Sequence, residues 1–312
     1  MNLLGLHHIT AMASDPRANF EFYTRVLALR FVKKSVNQDD PGTYHLYYGD
    51  YTGSPGTALT FFPWPGLRRG RPGSGQSYAT GFSVPQGSLE FWQERLARLG
   101  IKTEPVTERF GEKVLTTFDP DGLRLDLIAA NEPDPREPAP SNDVPAAHAI
   151  RGFHSTTLGV VNPTATIAVL TQAMGYRLVA TEGHRARYTV GAGGPGTYVD
   201  LLTDPALPRG VNGAGTIHHV AFRTPTDASQ VEARSEVART GLPISPVIDR
   251  AYFKSIYYRE PSGILFEIAT DQPGFTIDEP AETLGSKLGL PPHLEPHRAE
   301  IEAALPPLTT AP

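Results

Sequence analysis

One order of elements, a strand, a helix and then three strands, returns four times along this chain, and that repetition limits the fold more than any other property of the sequence. In the first unit Leu4 to Ala11 reads as a strand, and Ser14-Asp15-Pro16 supplies an N-cap followed by proline in the first helical turn. The helix is expected to run to about Leu27, with Phe20, Tyr23, Val26 and Leu27 on its buried face. Arg30 to Lys34, Thr43 to Tyr48 and Thr57 to Phe62 follow as strands, separated by Asp39-Asp40-Pro41-Gly42 and Gly53-Ser54-Pro55-Gly56. The second unit opens at Tyr78 to Phe82, the third at Gly152 to Thr156 and the fourth at Ile217 to Phe222. Units one and three share Pro-Gly-Thr at Pro55 and Pro195, and units two and four share an acidic-Pro-x-Gly turn at Asp119 and Glu260, the pattern of a two-unit ancestor duplicated in tandem.

The expected architecture is α+β: four βαβββ modules (4–65, 76–130, 150–207 and 215–270) in two pseudo-symmetric domains. On this division residues 1–135 form the N-terminal half and a proline-rich linker spans 136–149. Residues 150–272 form the second half, and 273–312 a tail with a short helix from about Pro296 to Leu305. At 312 residues the chain is long enough for such a pair. Its net charge of -5, with both signs interspersed, argues against a nucleic-acid partner. There is no apolar run of membrane-spanning length, and Met1 to Gly5 lacks the basic start of a leader, so a cytoplasmic protein without membrane partners is expected. The chain has no cysteine, so any metal must be held by nitrogen and oxygen.

Because each module shows what its strand positions contain when nothing special is required, the differences between modules are informative. At the second position of the first-strand pair stand His8, Ala79, Ser155 and His219. Four residues after the glycine that opens the last strand stand Thr60, Asp126, Asp200 and Glu267. Glu267 lies within Ile-Leu-Phe-Glu-Ile-Ala, too apolar to be a solvated edge, and a carboxylate there requires a cation or several hydrogen bonds. If modules one and four pair face to face, His8, His219 and Glu267 form one site, and two histidines with one carboxylate leave open positions on iron(II). In regular strands His7 and His218 would point to the opposite face.

The whole constellation resembles the vicinal oxygen chelate superfamily, the glyoxalase, bleomycin-resistance and extradiol dioxygenase group. Ile256-Tyr257-x-x-Glu260-Pro261-x-Gly263-x-x-x-Glu267 is similar to the extradiol ring-cleavage signature, except that Arg250 stands where that signature has a histidine. Leu6-His7-His8-Ile9-Thr10, Phe31 to Lys34, Tyr44 to Asp50, Arg151 to Ser155 and Arg250-x-Tyr252-Phe253 resemble the hydroquinone-cleaving branch. The resemblance implies a metal cup formed by modules one and four, with modules two and three forming a vacant one. It implies iron(II), with manganese(II) as an alternative, on His8, His219 and Glu267. Supporting or substrate-contacting roles follow for His7, Thr10, His218, Arg250 and Tyr257. The implied partners are a small aromatic substrate and dioxygen, and a homo-oligomer is compatible with it. The readings that stand beside this one are a glyoxalase-type metal-dependent lyase or isomerase, for which Thr60 is a poor fourth ligand, and a non-enzymatic module that binds an aromatic compound.

Overall fold

The structure, a computed structural model, describes residues 3–308. Module one comprises β1 (Leu6–Ala13), α1 (Pro16–Glu21), β2 (Arg30–Asn37), β3 (Asp40–Gly49) and β4 (Ala58–Pro63). Module two contains β5 (Gln76–Val84), α2 (Leu89–Arg98), β6 (Thr107–Arg109), β7 (Glu112–Phe118) and β8 (Arg124–Ala129). Module three contains β9 (Gly152–Gly159), α3 (Pro163–Ala168), β10 (Arg177–Glu182), β11 (Arg185–Thr189) and β12 (Tyr198–Leu202). Module four contains β13 (Thr216–Thr224), α4 (Asp227–Arg239), β14 (Ile248–Asp249), β15 (Lys254–Arg259) and β16 (Leu265–Thr270). The tail adds β17 (Leu288–Gly289) and α5 (Arg298–Ala304).

Caps start the helices where the sequence places them. The Asp15 carboxylate accepts from the N–H groups of Arg17 and Ala18, both at 2.8 Å, ahead of Pro16. Asn162 does the same for α3, and Thr226 with Ser229 forms a capping box at α4. Only the end of the first helix differs from expectation. After Glu21 the chain widens into a π-helical turn over Phe22–Val26, closed by Leu27 N–H on the Phe22 carbonyl, and Val169–Ala173 repeats this after α3.

The strands form two sheets, each taking one module from each half of the chain. The first runs β14-β15-β16-β13-β1-β4-β3-β2-β17 and joins modules four and one; the second runs β10-β11-β12-β9-β5-β8-β7-β6 and joins modules three and two. Both seams, β1 with β13 and β5 with β9, are antiparallel. On β16, Phe266 and Ile268 enter the hydrophobic core while Glu267 between them faces the other way, as a period of two requires. The tail is tied to the first sheet by Lys33, whose buried ammonium donates to Asp278 at 2.6 Å and to Glu279 at 2.5 Å.

The seam strands are not regular, and this corrects the expected orientation of two histidines. Leu6 and Ile9 both enter the core although they are three residues apart, because the register slips between Leu6 and His8. The extra residue is His7. On β13 the same slip falls at His218, between Ile217 and His219. A β-bulge re-aims the side chains beside it, so each pair of consecutive histidines lies on one side of its strand rather than on opposite sides.

Candidate metal centre

His8 on β1, His219 on β13 and Glu267 on β16 converge where modules one and four meet. Registers His219 to Thr10 and Ala221 to Glu267 hold the three strands in place. Glu267 Oε2 lies 3.0 Å from His219 Nε2 and 3.3 Å from His8 Nε2, and the two imidazole nitrogens are 3.2 Å apart. All three side chains are buried, Glu267 completely.

The tautomers follow from the neighbours. His7 Nε2 is 3.1 Å from the Thr270 carbonyl, which can only accept, so that nitrogen carries a proton. Burial first, and then His8, pushes His7 down to about 3, so its ring is neutral and its Nδ1 bare. His8 Nδ1, 2.9 Å away, therefore donates to it, and His8 Nε2 presents a lone pair to Glu267. His218 and His219 repeat the arrangement with Nδ1 atoms 2.8 Å apart. Each imidazole facing the carboxylate is thus held in place through its other nitrogen.

Burial pushes the Glu267 carboxyl up, but positive charge at the His8 and His219 side of the group outweighs it and holds the group well below the usual carboxylate range. Glu267 Oε1 accepts a short hydrogen bond from Ser255, while buried Oε2 has no hydrogen-bond partner among the described residues. Three electron-pair donors facing one point are mutually repulsive without a cation among them. A divalent ion with ligand distances of about 2.0–2.2 Å sets adjacent donors about 3 Å apart, which is the spacing found here. The residues fit a metal.

A cavity of about 320 Å³ opens onto these three residues. Arg250 and Tyr257 form part of its wall: Arg250 Nε donates to the Tyr257 hydroxyl at 3.1 Å, and its Nη2 approaches Asp39 at 3.5 Å. The Arg250 side chain is delivered by a strained turn in which Ala251 adopts φ 71°, held by its N–H on the Asp249 carboxylate at 2.8 Å. Burial first, and then Glu267, raises the Tyr257 phenol, so it stays protonated as a donor. His218 also lines the cavity, whereas His7 and Thr10 stand behind its wall, Thr10 with its hydroxyl 2.7 Å from that of Thr60.

Sequence reasoning missed His45, Tyr47, Phe62, Trp64 and Phe253, which also line the cavity. The repeat held the signal for Tyr47. It pairs with Thr60 on β4 as Tyr257 pairs with Glu267 on β16, so the two tyrosines occupy equivalent positions.

The second sheet has the same registers and a different filling. Its equivalents of the three converging residues and Thr60 are Ala79, Ser155, Asp126 and Asp200. Arg187 holds both Asp200 oxygens, at 2.8 and 2.9 Å, and donates to Glu112 at 2.6 Å. Glu112 also meets His154 Nε2 at 3.1 Å, Arg109 donates to Asp126 at 2.5 Å, and Phe110 covers the Arg187 guanidinium at 4.5 Å. The cup expected to be vacant is filled by ion pairs.

Comparison with known proteins agrees with this geometry. A family model described as Glyoxalase/Bleomycin resistance protein/Dioxygenase superfamily matches residues 5–127 and 152–268. A Bacillus subtilis (strain 168) protein provisionally named ring-cleaving dioxygenase MhqO is 45% identical, over 97% of this chain and 96% of its own length. The chlorohydroquinone/hydroquinone 1,2-dioxygenase of Sphingobium indicum is 35% identical, over 95% of this chain and 94% of its own. A crystal structure of a provisionally named dioxygenase from Bacillus subtilis subsp. subtilis str. 168 superposes with a TM-score of 0.94 at 44% identity, covering 99% of both chains. Glyoxalase I from Zea mays shares the fold, with a TM-score of 0.64 at 15% identity over 86% of this chain and 92% of its own. With four βαβββ modules in two curled sheets, and matches across both halves, the chain belongs to the glyoxalase, bleomycin resistance protein and dioxygenase superfamily.

Proposed function

We propose that the chain is a non-haem iron(II) ring-cleaving dioxygenase of the extradiol type, acting on hydroquinone or a substituted hydroquinone. It would open the ring between a hydroxyl-bearing carbon and its neighbour, with both atoms of dioxygen retained in the product. The observation that carries this reading is a donor set of two imidazoles and one carboxylate whose fourth equivalent position is Thr60, leaving coordination positions open toward a cavity of ring-binding size. The relatives named as hydroquinone and ring-cleaving dioxygenases support it.

On this reading His8, His219 and Glu267 hold the metal, and His7 and His218 fix the ring orientations of the two ligand histidines. Iron(II) bound there supplies Lewis acidity toward a phenol and electron transfer toward dioxygen. Arg250, permanently cationic and partly shielded from water, stabilises anionic charge that develops on the bound aromatic oxygen. Tyr257 donates a hydrogen bond from the same wall. Phe253, with its ring 4.9 Å from His8, lines the cavity beside the ligands and excludes water. Thr10 lies behind the wall and acts through Thr60.

The test is anaerobic loading with iron(II), then oxygen uptake with hydroquinone or methylhydroquinone. One dioxygen consumed per ring-opened product is expected, and a parallel manganese(II) sample reports how strictly iron is required. Iron-loaded protein that yields no ring-opened product overturns the reading.

A further inference from the structure

Three of the four equivalent positions on the first sheet hold His8, His219 and Glu267, and the fourth holds Thr60 on β4. Thr60 stands on β4, which pairs with β3. β3 places Tyr47 directly opposite Thr60. The Tyr47 hydroxyl is 2.6 Å from His45 Nδ1, His45 Nε2 is 2.9 Å from Thr60 Oγ1, and Thr60 Oγ1 is 2.7 Å from Thr10 Oγ1. The His45 ring is further clamped by Phe62, 4.3 Å away between centroids. Both His45 and Tyr47 line the cavity.

This chain differs in kind from the Arg250 wall. Arginine only donates, whereas a phenol, a neutral imidazole and two threonine hydroxyls each donate and accept. Burial first, and then His8 and His219, holds His45 well below its ordinary range, so the imidazole is neutral. Two proton orders are therefore open to the chain, one running from Tyr47 toward Thr10 and one the reverse. At its cavity end Tyr47 can accept a hydrogen bond in the first order and give one in the second. The group complementary to such an end is a hydroxyl, which also does both. A para-diol has one: its two oxygens lie on opposite sides of the ring, so only one can reach the metal, and the other loses its water on entering the cavity.

We propose that Tyr47, supported by His45, Thr60 and Thr10, seats the substrate hydroxyl that is not at the metal, and so selects an aromatic diol over a monophenol. The inference rests on the dioxygenase reading above and names the part of the cavity that reads the diol.

Trp64 lines the cavity, whereas the other tryptophan, Trp92, is buried in the core, so ligand binding is read by fluorescence. Iron-loaded wild type, Tyr47→Phe and Thr60→Val are titrated without oxygen, once with hydroquinone and once with phenol. Wild type is expected to bind hydroquinone roughly 3- to 10-fold more tightly than phenol, the factor of one net hydrogen bond. Tyr47→Phe brings the ratio close to one with metal content and phenol affinity unchanged. Thr60→Val, which breaks the chain behind the cavity wall, lowers the ratio partway and carries the test alone if Tyr47→Phe fails to fold. A ratio close to one in wild type, an unchanged ratio in the variants, or equal weakening of both ligands overturns the proposal. Ring opening by wild type is assayed alongside: with it intact and the ratio unmoved, only the seat is lost. Without it, the dioxygenase reading falls and takes the seat with it.

Discussion

In the first sheet Glu267 keeps one buried oxygen without a hydrogen bond from the described residues, facing two imidazole nitrogens at 3.0 and 3.3 Å. In the second sheet Asp200, at the equivalent position of its module, has each oxygen bonded by the Arg187 guanidinium. Asp126, in the same sheet, is met by Arg109 and by the Thr116 hydroxyl. The scaffold of both cups turns strand carboxylates inward, away from water, and each must be compensated. The second cup carries its cations in its own sequence, in a fork geometry that matches a carboxylate. The first sets two imidazoles against its carboxylate and, among the described residues, no arginine or lysine bonded to it. The difference teaches that the site is defined as much by missing arginines as by present histidines.

The comparison breaks most visibly with paired carboxylate removals. Glu267→Ala is expected to abolish stoichiometric metal binding and lower ring cleavage at least about 1000-fold, in line with the loss of a group acting as part of a catalytic unit. Its fold should survive, since the apo cup loses an uncompensated carboxylate. Asp200→Ala is expected to do the reverse, keeping its metal but losing about 1–3 kcal/mol of stability because the buried Arg187 guanidinium loses both bonds to Asp200 and keeps only Glu112. Metal analysis and urea denaturation of both variants check this, and a metal-retaining Glu267→Ala refutes the contrast.

A smaller effect sharpens it. His7→Asn and His218→Asn are expected to weaken metal affinity by about 10- to 100-fold, as loss of a partner that orients a ligand does. His154, at the equivalent bulge of the second cup, touches Glu112, so His154→Asn should leave metal affinity alone. Competition with a chelator measures all three.

The mildest contrast concerns acid. Burial pushes the Glu112 carboxyl up, but His154 and Arg187 prevail and bring it to about 2 from an ordinary 4.5. A carboxyl depressed in the folded state contributes stability that is complete above pH 4.5 and is lost as pH falls toward 2. Denaturation midpoints of apo wild type should fall across that window, and Glu112→Gln, weaker at neutral pH, should show a shallower fall.

The modules and the three candidate ligands were legible because the chain repeats: a histidine at one seam position gains meaning when another stands at the matching one. The orientation of His7 and His218 was not, because a period of two is the default for a strand and a bulge overrides it. The apolar positions carried the correction, since Leu6 and Ile9, like Ile217 and Val220, are three apart yet share the core. His45 was quoted only within a family resemblance, because a histidine on an outer strand has no chemistry until Thr60 and Tyr47 are beside it. The filled second cup was invisible for a related reason. Arg187 and Asp200 are partners only across β11 and β12, and Glu112 reaches Arg187 from 75 positions away.

Because the first sheet joins the first module to the last, its order of assembly during translation is set. The β5–β9 seam unites residues such as Ser77 and Thr156, 79 positions apart, whereas His8 and His219 are separated by 211. At roughly 5–20 residues per second a ribosome needs about 10–40 s to cover that longer interval. The second sheet has emerged in full once β12 is made, while β1 still awaits its seam partner. Its charges neutralise one another without any outside ion, so it can mature early beside an unfinished neighbour. If the proposed ligand set binds a metal, ion capture would come last, and until β13 is made the nascent chain offers one histidine of the three-residue set.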